Sequence, residues 1–206
     1  MQIVEEFLRE LDSRWLENDA GASRPAALLT VRLIGSTALM LQTGYSRITK
    51  DSDVLETSEL QPADRARLLT LGGRPSELFR RCGIYLDIVP KGIPFLPDDP
   101  QWLPLEELNR SLKHLTVVVL SPTDVAVSKL YRFNANDRAD IGYLVDEALI
   151  DHAPFVERFR SAVSALYFDA RAEELPRVVR NFHAIERDHF FEEESVIALP
   201  DWVEDG

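Results

Sequence analysis

The segment LLTVRLIGSTALMLQTG, residues 28 to 44, constrains the fold more than any other stretch of this chain. Its first half, to residue 34, is β-rich and stops at Gly35; its second half suits a short helix ended by Gly44. A strand that passes through Gly-Ser into a helix leaves the first backbone N–H groups of that helix unpaired at the strand's end. Another β-prone run follows over residues 52 to 56, so the predicted unit is strand, Gly-Ser, helix, loop, strand. IYLDIV at 84 to 89 and the β-branched HLTVVVL at 114 to 120 supply two more strands.

Around these strands the periodicity is helical. Ile3, Val4, Phe7, Leu8, Leu11 and Trp15 predict an amphipathic helix over residues 2 to 18, followed by a polar stretch from Asn18 to Pro25. A helix begins near Pro62 and runs to Gly72-Gly73, and a second covers 75 to 81. The proline-rich stretch from Pro90 to Pro104 reads as an irregular loop. SPTDVAVSKLYRF reads as a helix with Ser121 as N-cap, Pro122 in the first turn and Asp124 at the reciprocal capping position. Residues 137 to 149, 153 to 170 and 172 to 190 add three helices, with Phe155, Phe159, Val163, Leu166 and Tyr167 spaced as a core face. The chain is therefore mixed α/β early and all-helical late, an α/β (α+β) fold class. The expected division is a core over 1–120 with its N-terminal helix, a helical region over 121–190, and an acidic tail over 191–206. That tail, with Trp202, is expected either to be disordered or to pack on another chain.

At 206 residues, 45% hydrophobic and 28% charged, the chain has the size and balance of a folded domain. No apolar run approaches the roughly 20 residues of a membrane span, and the N-terminus carries acids where a signal peptide would be basic. A cytoplasmic protein with no membrane partner is expected. The single cysteine, Cys82, rules out an internal disulfide and a cysteine-based zinc site. His114, His152, His183 and His189 are scattered, and the last two, six residues apart, fall on different helix faces. The net charge of −12 counts against a long nucleic-acid contact. Arg65, Arg67, Arg74, Arg80 and Arg81 form a local basic run whose plain reading is a solvated helix face.

The chemistry concentrates in three places. In a strand, Asp51 and Asp53 point to the same side while Ser52 faces away, so the two carboxylates repel unless a cation lies between them. Magnesium takes such oxygen ligands and leaves positions for substrate phosphates. Asp87 interrupts an apolar strand and requires a partner: an arginine, or a metal shared with Asp51 and Asp53 if the two strands are neighbours. In the second case it is also the natural general base. Gly35 and Ser36, with Thr37, open a helix where an anion is favoured, although a Gly-Ser at such a turn is also an ordinary cap. Ser36 lacks the Gly-x-Ser-x-Gly setting of a hydrolase nucleophile.

VRLIGSTALMLQTGYSRITKDSDVLE followed by YLDIV resembles the minimal core of the DNA polymerase β-like nucleotidyltransferase superfamily. It is more similar to the AbiEii-like nucleotidyltransferase toxins and the related domain of unknown function 6036. There, Gly-Ser-Thr-Ala-Leu precedes an Arg-x-Thr-Lys-Asp-x-Asp run, here Gly35 to Leu39 and Arg47 to Asp53. SPTDVAVSKLYRFNANDRADI extends the resemblance, which implies that Lys129 contacts a triphosphate and that Asp137 and Asp140 belong to a second acidic patch. It further implies a small mixed sheet flanked by helices, a nucleoside triphosphate substrate, and Mg2+ (or Mn2+) held by Asp51, Asp53 and Asp87. A tRNA 3′ end is the first acceptor to test, with a protein side chain or a small molecule such as an aminoglycoside as alternatives. A toxin with a cognate antitoxin is the implied setting; a catalytically silent relative acting as a binding module or antitoxin partner is the rival. Thr37 to Leu41 departs from the Gly-Ser-x-Ala-Arg-Gly pattern of antitoxin-type enzymes.

Overall fold

The structure, a computed structural model, describes residues 2–15, 28–45 and 51–203. The end of the first predicted helix, the polar stretch after it, Arg47, Thr49 and Lys50, and the last three residues of the tail lie outside the described residues. The chain forms two compact units, the first from 1–93 and 102–120, the second from 94–101 and 121–206.

In the first unit, in chain order, come α1 (Gln2–Arg14), β1 (Leu29–Leu33), α2 (Gly35–Gln42), β2 (Asp51–Leu55), α3 (Pro62–Gly72), α4 (Glu77–Cys82), β3 (Tyr85–Val89), β4 (Trp102–Pro104), α5 (Glu106–Asn109) and β5 (Leu115–Leu120). The strands make one mixed sheet in the order β3-β2-β1-β5-β4. β1 runs parallel to β5 and β2 parallel to β3, while the β1–β2 and β4–β5 pairs are antiparallel. Alternation along the strands divides the sheet into two faces. One carries Val31, Leu33, Val54, Leu86, Ile88, Leu115, Val117 and Val119, all buried. α2 packs on β2 and β5, α3 packs on β3, and α1 lies on α2, α3 and α4. Gly72 lets α1, α3 and β3 close up: a Cβ there would stand 3.2 Å from the Phe7 ring and 3.4 Å from Leu86. The other face carries Thr30, Arg32, Asp51, Asp53, Asp87, Thr116 and Val118, none of them buried, with the buried Leu55, Tyr85 and Leu120 at strand ends.

Asp12 anchors this unit from α1. It is 4% exposed, and its carboxylate accepts backbone N–H groups from Lys113, His114 and Leu115 at 2.8–3.0 Å, fastening the start of β5. Two short elements lie where the sequence reading expected irregular chain or made no assignment. β4 is an edge strand that owes its identity to pairing with β5, and α5 places Asn109 so that its amide bonds both the N–H and the C=O of Val117.

The second unit contains α6 (Pro122–Lys129), α7 (Ala135–Asp146), α8 (His152–Ala165), a 3₁₀ turn (Ala170–Glu174), α9 (Leu175–Ile185) and a π-helical turn (Glu186–Phe190). Its core is aromatic: Phe159 stacks on Phe182 at 4.1 Å, with Phe155 and Phe95 against them. Ser121 caps α6 as expected, accepting from Asp124 N–H. The reciprocal half of that cap is not made. The fully buried Asp124 carboxylate instead takes Arg158 (2.7 and 2.8 Å) and the N–H of Gln101 (2.7 Å), clamping 94–101 to the helices. The complete capping box is on α7, between Asn134 and Asp137.

The tail corrects its expectation as well. Residues 191–203 pack on their own unit, as Arg160 and Tyr167 donate to the carbonyls of Val196 and Ala198, and Ser195 N–H donates to the buried Glu186. Glu186 also gathers His152 (2.8 Å) and His183 (3.9 Å), two histidines that sequence spacing left apart.

Candidate functional site

The parallel pairing of β2 with β3 sets Asp53 opposite Asp87 in register. Side chains of register partners share a face, so Asp51, Asp53 and Asp87 all project from the face of the sheet opposite the Val31, Leu33 and Val54 core. Asp51 and Asp87 are exposed and Asp53 is half-buried. Ser52 points the other way, is fully buried, and its hydroxyl has no hydrogen-bond partner. The Asp87 carboxylate accepts the N–H of Ile88 at 2.9 Å. The carboxylate row is thus set by backbone pairing.

Gly35 closes the row from β1. It adopts φ +66°, a conformation that favours glycine, and a Cβ there would stand 3.2 Å from Asp53 Oδ2. Ile34 N–H donates to the Asp53 carbonyl at 2.9 Å, so the turn into α2 is stitched to the middle of β2. Thr37 is buried and donates its hydroxyl to the Asp51 carbonyl at 2.9 Å, tying α2 to the start of β2. Ser36 opens α2 and is half-buried.

The flanks of the row were not legible beforehand. On one side Tyr85, the register partner of Asp51, carries the Arg74 guanidinium over its ring at 4.4 Å. Farther along the same face, toward β4, Arg32 pairs with Glu59 at 2.9 Å and lies 6.0 Å from the Trp102 ring.

Carboxylate oxygens are the donors magnesium and manganese take. Among the described residues no three His, Cys, Asp or Glu converge closely enough to hold an ion by themselves. Magnesium commonly uses one or two carboxylates and completes its shell with water and substrate phosphates. Asp53 and Asp87, register partners on neighbouring strands, could supply two carboxylates of that kind.

Compared with known families, residues 16–186 match one described as a nucleotidyltransferase of unknown function (DUF6036). The chain belongs to this family. A comparison with curated proteins and with solved structures finds no match. The small mixed sheet flanked by helices agrees with the architecture that the sequence resemblance implied. Among its described residues, no helix of this family member is long and apolar enough to cross a membrane.

Lys129, Asp137 and Asp140 lie in the second unit and come together there. Lys129 ends α6 and is 5% exposed; its ammonium meets Asp140 at 2.7 Å and Asp137 at 3.5 Å, both aspartates being fully buried on α7. Arg132 adds a two-pronged contact to Asp137 at 2.8 Å. Burial alone would raise the Asp137 carboxyl, but the Arg132 hydrogen bonds, the Lys129 and Arg132 charges and the Asn134 N–H together hold it below its ordinary value.

Proposed function

We propose that this chain transfers a nucleoside monophosphate from a nucleoside triphosphate to an acceptor hydroxyl, using the carboxylate row of β2 and β3. The observation that carries the reading is Asp53 facing Asp87 in register on one sheet face, with Gly35 against Asp53. Asp53 and Asp87, with Asp51 reaching the ion through water or the substrate, would hold Mg2+, or Mn2+ in its place, which when bound would neutralise triphosphate charge and the charge developing on the leaving pyrophosphate.

Gly35 and Ser36 present backbone N–H groups at the start of α2 to a phosphate, and the missing Cβ admits its close approach. Asp87, exposed in the middle of the edge strand β3, takes the proton of the acceptor hydroxyl. The acceptor oxygen forms a bond to the α-phosphorus, the bond from that phosphorus to the β-phosphate oxygen breaks, and pyrophosphate leaves. The role of Lys129, Asp137 and Asp140 toward the triphosphate rests on the family resemblance alone. So do the tRNA 3′ end as acceptor and a toxin with a cognate antitoxin as setting; a protein or antibiotic acceptor is the alternative that the net charge of −12 favours, and the cytoplasmic setting follows from the acidic N-terminus and the single cysteine.

The test is incubation of the purified protein with each labelled nucleoside triphosphate, Mg2+ and total tRNA, beside Asp53→Ala. Label on RNA that vanishes in the variant is the expected result. Label on the protein would redirect the acceptor to a polypeptide. A folded protein that binds no triphosphate would overturn the enzyme reading in favour of a silent binding module.

A further inference from the structure

Most of the arginines between residues 65 and 81 have neutral settings. Arg65 pairs with Glu56 at 3.1 Å, Arg81 with Glu10 at 2.8 Å, and Arg67 lies over the Trp15 ring. Arg74, like Arg80, is exposed, and no carboxylate among the described residues pairs with it; what sets Arg74 apart is that an aromatic side chain on the sheet holds it. Its Nη2 donates to the Tyr85 hydroxyl at 2.6 Å, and its guanidinium lies over the Tyr85 ring. Phe79 braces that ring edge-on at 5.4 Å. Tyr85 is 8% exposed, so the platform is a fixed part of the unit.

The location of the platform matters. Tyr85 is the register partner of Asp51 and lies two residues before Asp87, on the same sheet face. Neighbouring strands are about 4.8 Å apart, so the residue that carries the guanidinium stands one strand from Asp51, at the end of the carboxylate row. An arginine drawn there only to neutralise aspartates would form an ion pair with one of them. This one is held by a neutral aromatic ring and hydroxyl, and most of its five N–H donors remain for a planar, two-pronged contact with an anion. On a chain with net charge −12, a positive group of this kind at the margin of an acidic row is where a polyanionic substrate would be received.

We propose that Arg74, positioned by Tyr85, binds the triphosphate of the incoming nucleotide; this rests on the nucleotidyltransferase reading above. The acidity of the chain favours a compact triphosphate over a long nucleic-acid backbone as the anion.

The experiment is calorimetric titration of the full chain with each nucleoside triphosphate, with inorganic tripolyphosphate, and with the corresponding nucleoside, all in Mg2+. Wild type, Arg74→Gln, Arg74→Lys, Tyr85→Phe and Asp53→Ala are compared, with thermal unfolding confirming that each is folded. Arg74→Gln should weaken triphosphate and tripolyphosphate by the same factor, roughly tenfold or more, and leave nucleoside binding unchanged. Arg74→Lys should recover part of the loss, and Tyr85→Phe should cost roughly threefold by freeing the guanidinium. Wild-type affinity in Arg74→Gln, alongside lost binding in Asp53→Ala, would overturn this inference and leave the nucleotidyltransferase reading intact. If wild type binds no triphosphate, both fall. An Arg74→Gln defect confined to RNA binding would assign the arginine to the acceptor and overturn the proposal as stated.

Discussion

Gly35 is where backbone conformation and the carboxylate row meet. A non-glycine residue at φ +66° costs about 1–2 kcal/mol, and its Cβ would press on Asp53 Oδ2. Gly35→Ala should therefore lower the urea midpoint modestly while reducing triphosphate binding by more than the stability loss explains. Equal losses in both would make the glycine merely structural. Asp12 is a purely structural counterpart. Asp12→Ala strips three backbone donors of their acceptor at the start of β5 and should destabilise the protein by about 2–4 kcal/mol, read from denaturant unfolding. Asp137 gives a pH dependence of definite sign. Its folded-state carboxyl is held below the ordinary 3.8, so the unfolded chain binds the proton more readily in acid. Its stabilising contribution is complete above 3.8 and is lost as pH falls below that value. Asp137→Asn should flatten this part of the acid-unfolding profile, and a profile parallel to wild type would refute the assignment.

At the scale of elements, α7 and the tail each depend on a few contacts. The Asn134–Asp137 box holds the first turn of α7 and, through Asp137, the ammonium of Lys129. Asn134→Ala should cost about 1 kcal/mol, and thermal unfolding is the direct check. Residues 191–203 lack helix and strand, yet they supply Ser195 N–H to the fully buried Glu186 and carbonyls to Arg160 and Tyr167. Ending the chain at Phe190 removes those partners and opens Glu186 to water. Faster amide exchange in α8 and α9 and a lower melting temperature are the expected consequences; unchanged exchange would show that the strap contributes nothing.

For the whole molecule the governing quantity is charge. A protein at −12 repels a free triphosphate at long range, whatever its local site does. Added salt screens exposed charges beyond roughly 8–10 Å, so the association rate of Mg-nucleotide should rise with moderate salt, a trend stopped-flow fluorescence can follow. A rate that falls with salt would mean that the local field of the site outweighs the net charge. Binding should also raise global stability by mass action, by about 2.7 kcal/mol when ligand is a hundredfold above its dissociation constant. That gain should be absent in Asp53→Ala.

The elements were legible because each has its own period or punctuation. Gly35 and Gly44 bound α2, Ser121-Pro122 opens α6, and β-branched runs mark β1 and β5. The Gly-Ser, the Asp-x-Asp and the lone Asp87 were legible because acids and glycines are conspicuous against apolar strands. The three-residue β4 escaped, since a strand containing proline at a sheet edge is defined by its partner and by no pattern of its own. The acceptors of Arg158 and the acidic neighbours of Lys129 escaped because ion pairing depends on distance in space. Local spacing thus determined which residues lie on strands and which way Asp51 and Asp53 point. Only the tertiary structure decided that β2 lies beside β3, that Asp53 meets Asp87 in register, and that Arg74 rests on Tyr85. Strand order and side-chain partnership are products of long-range packing, and no local period encodes them.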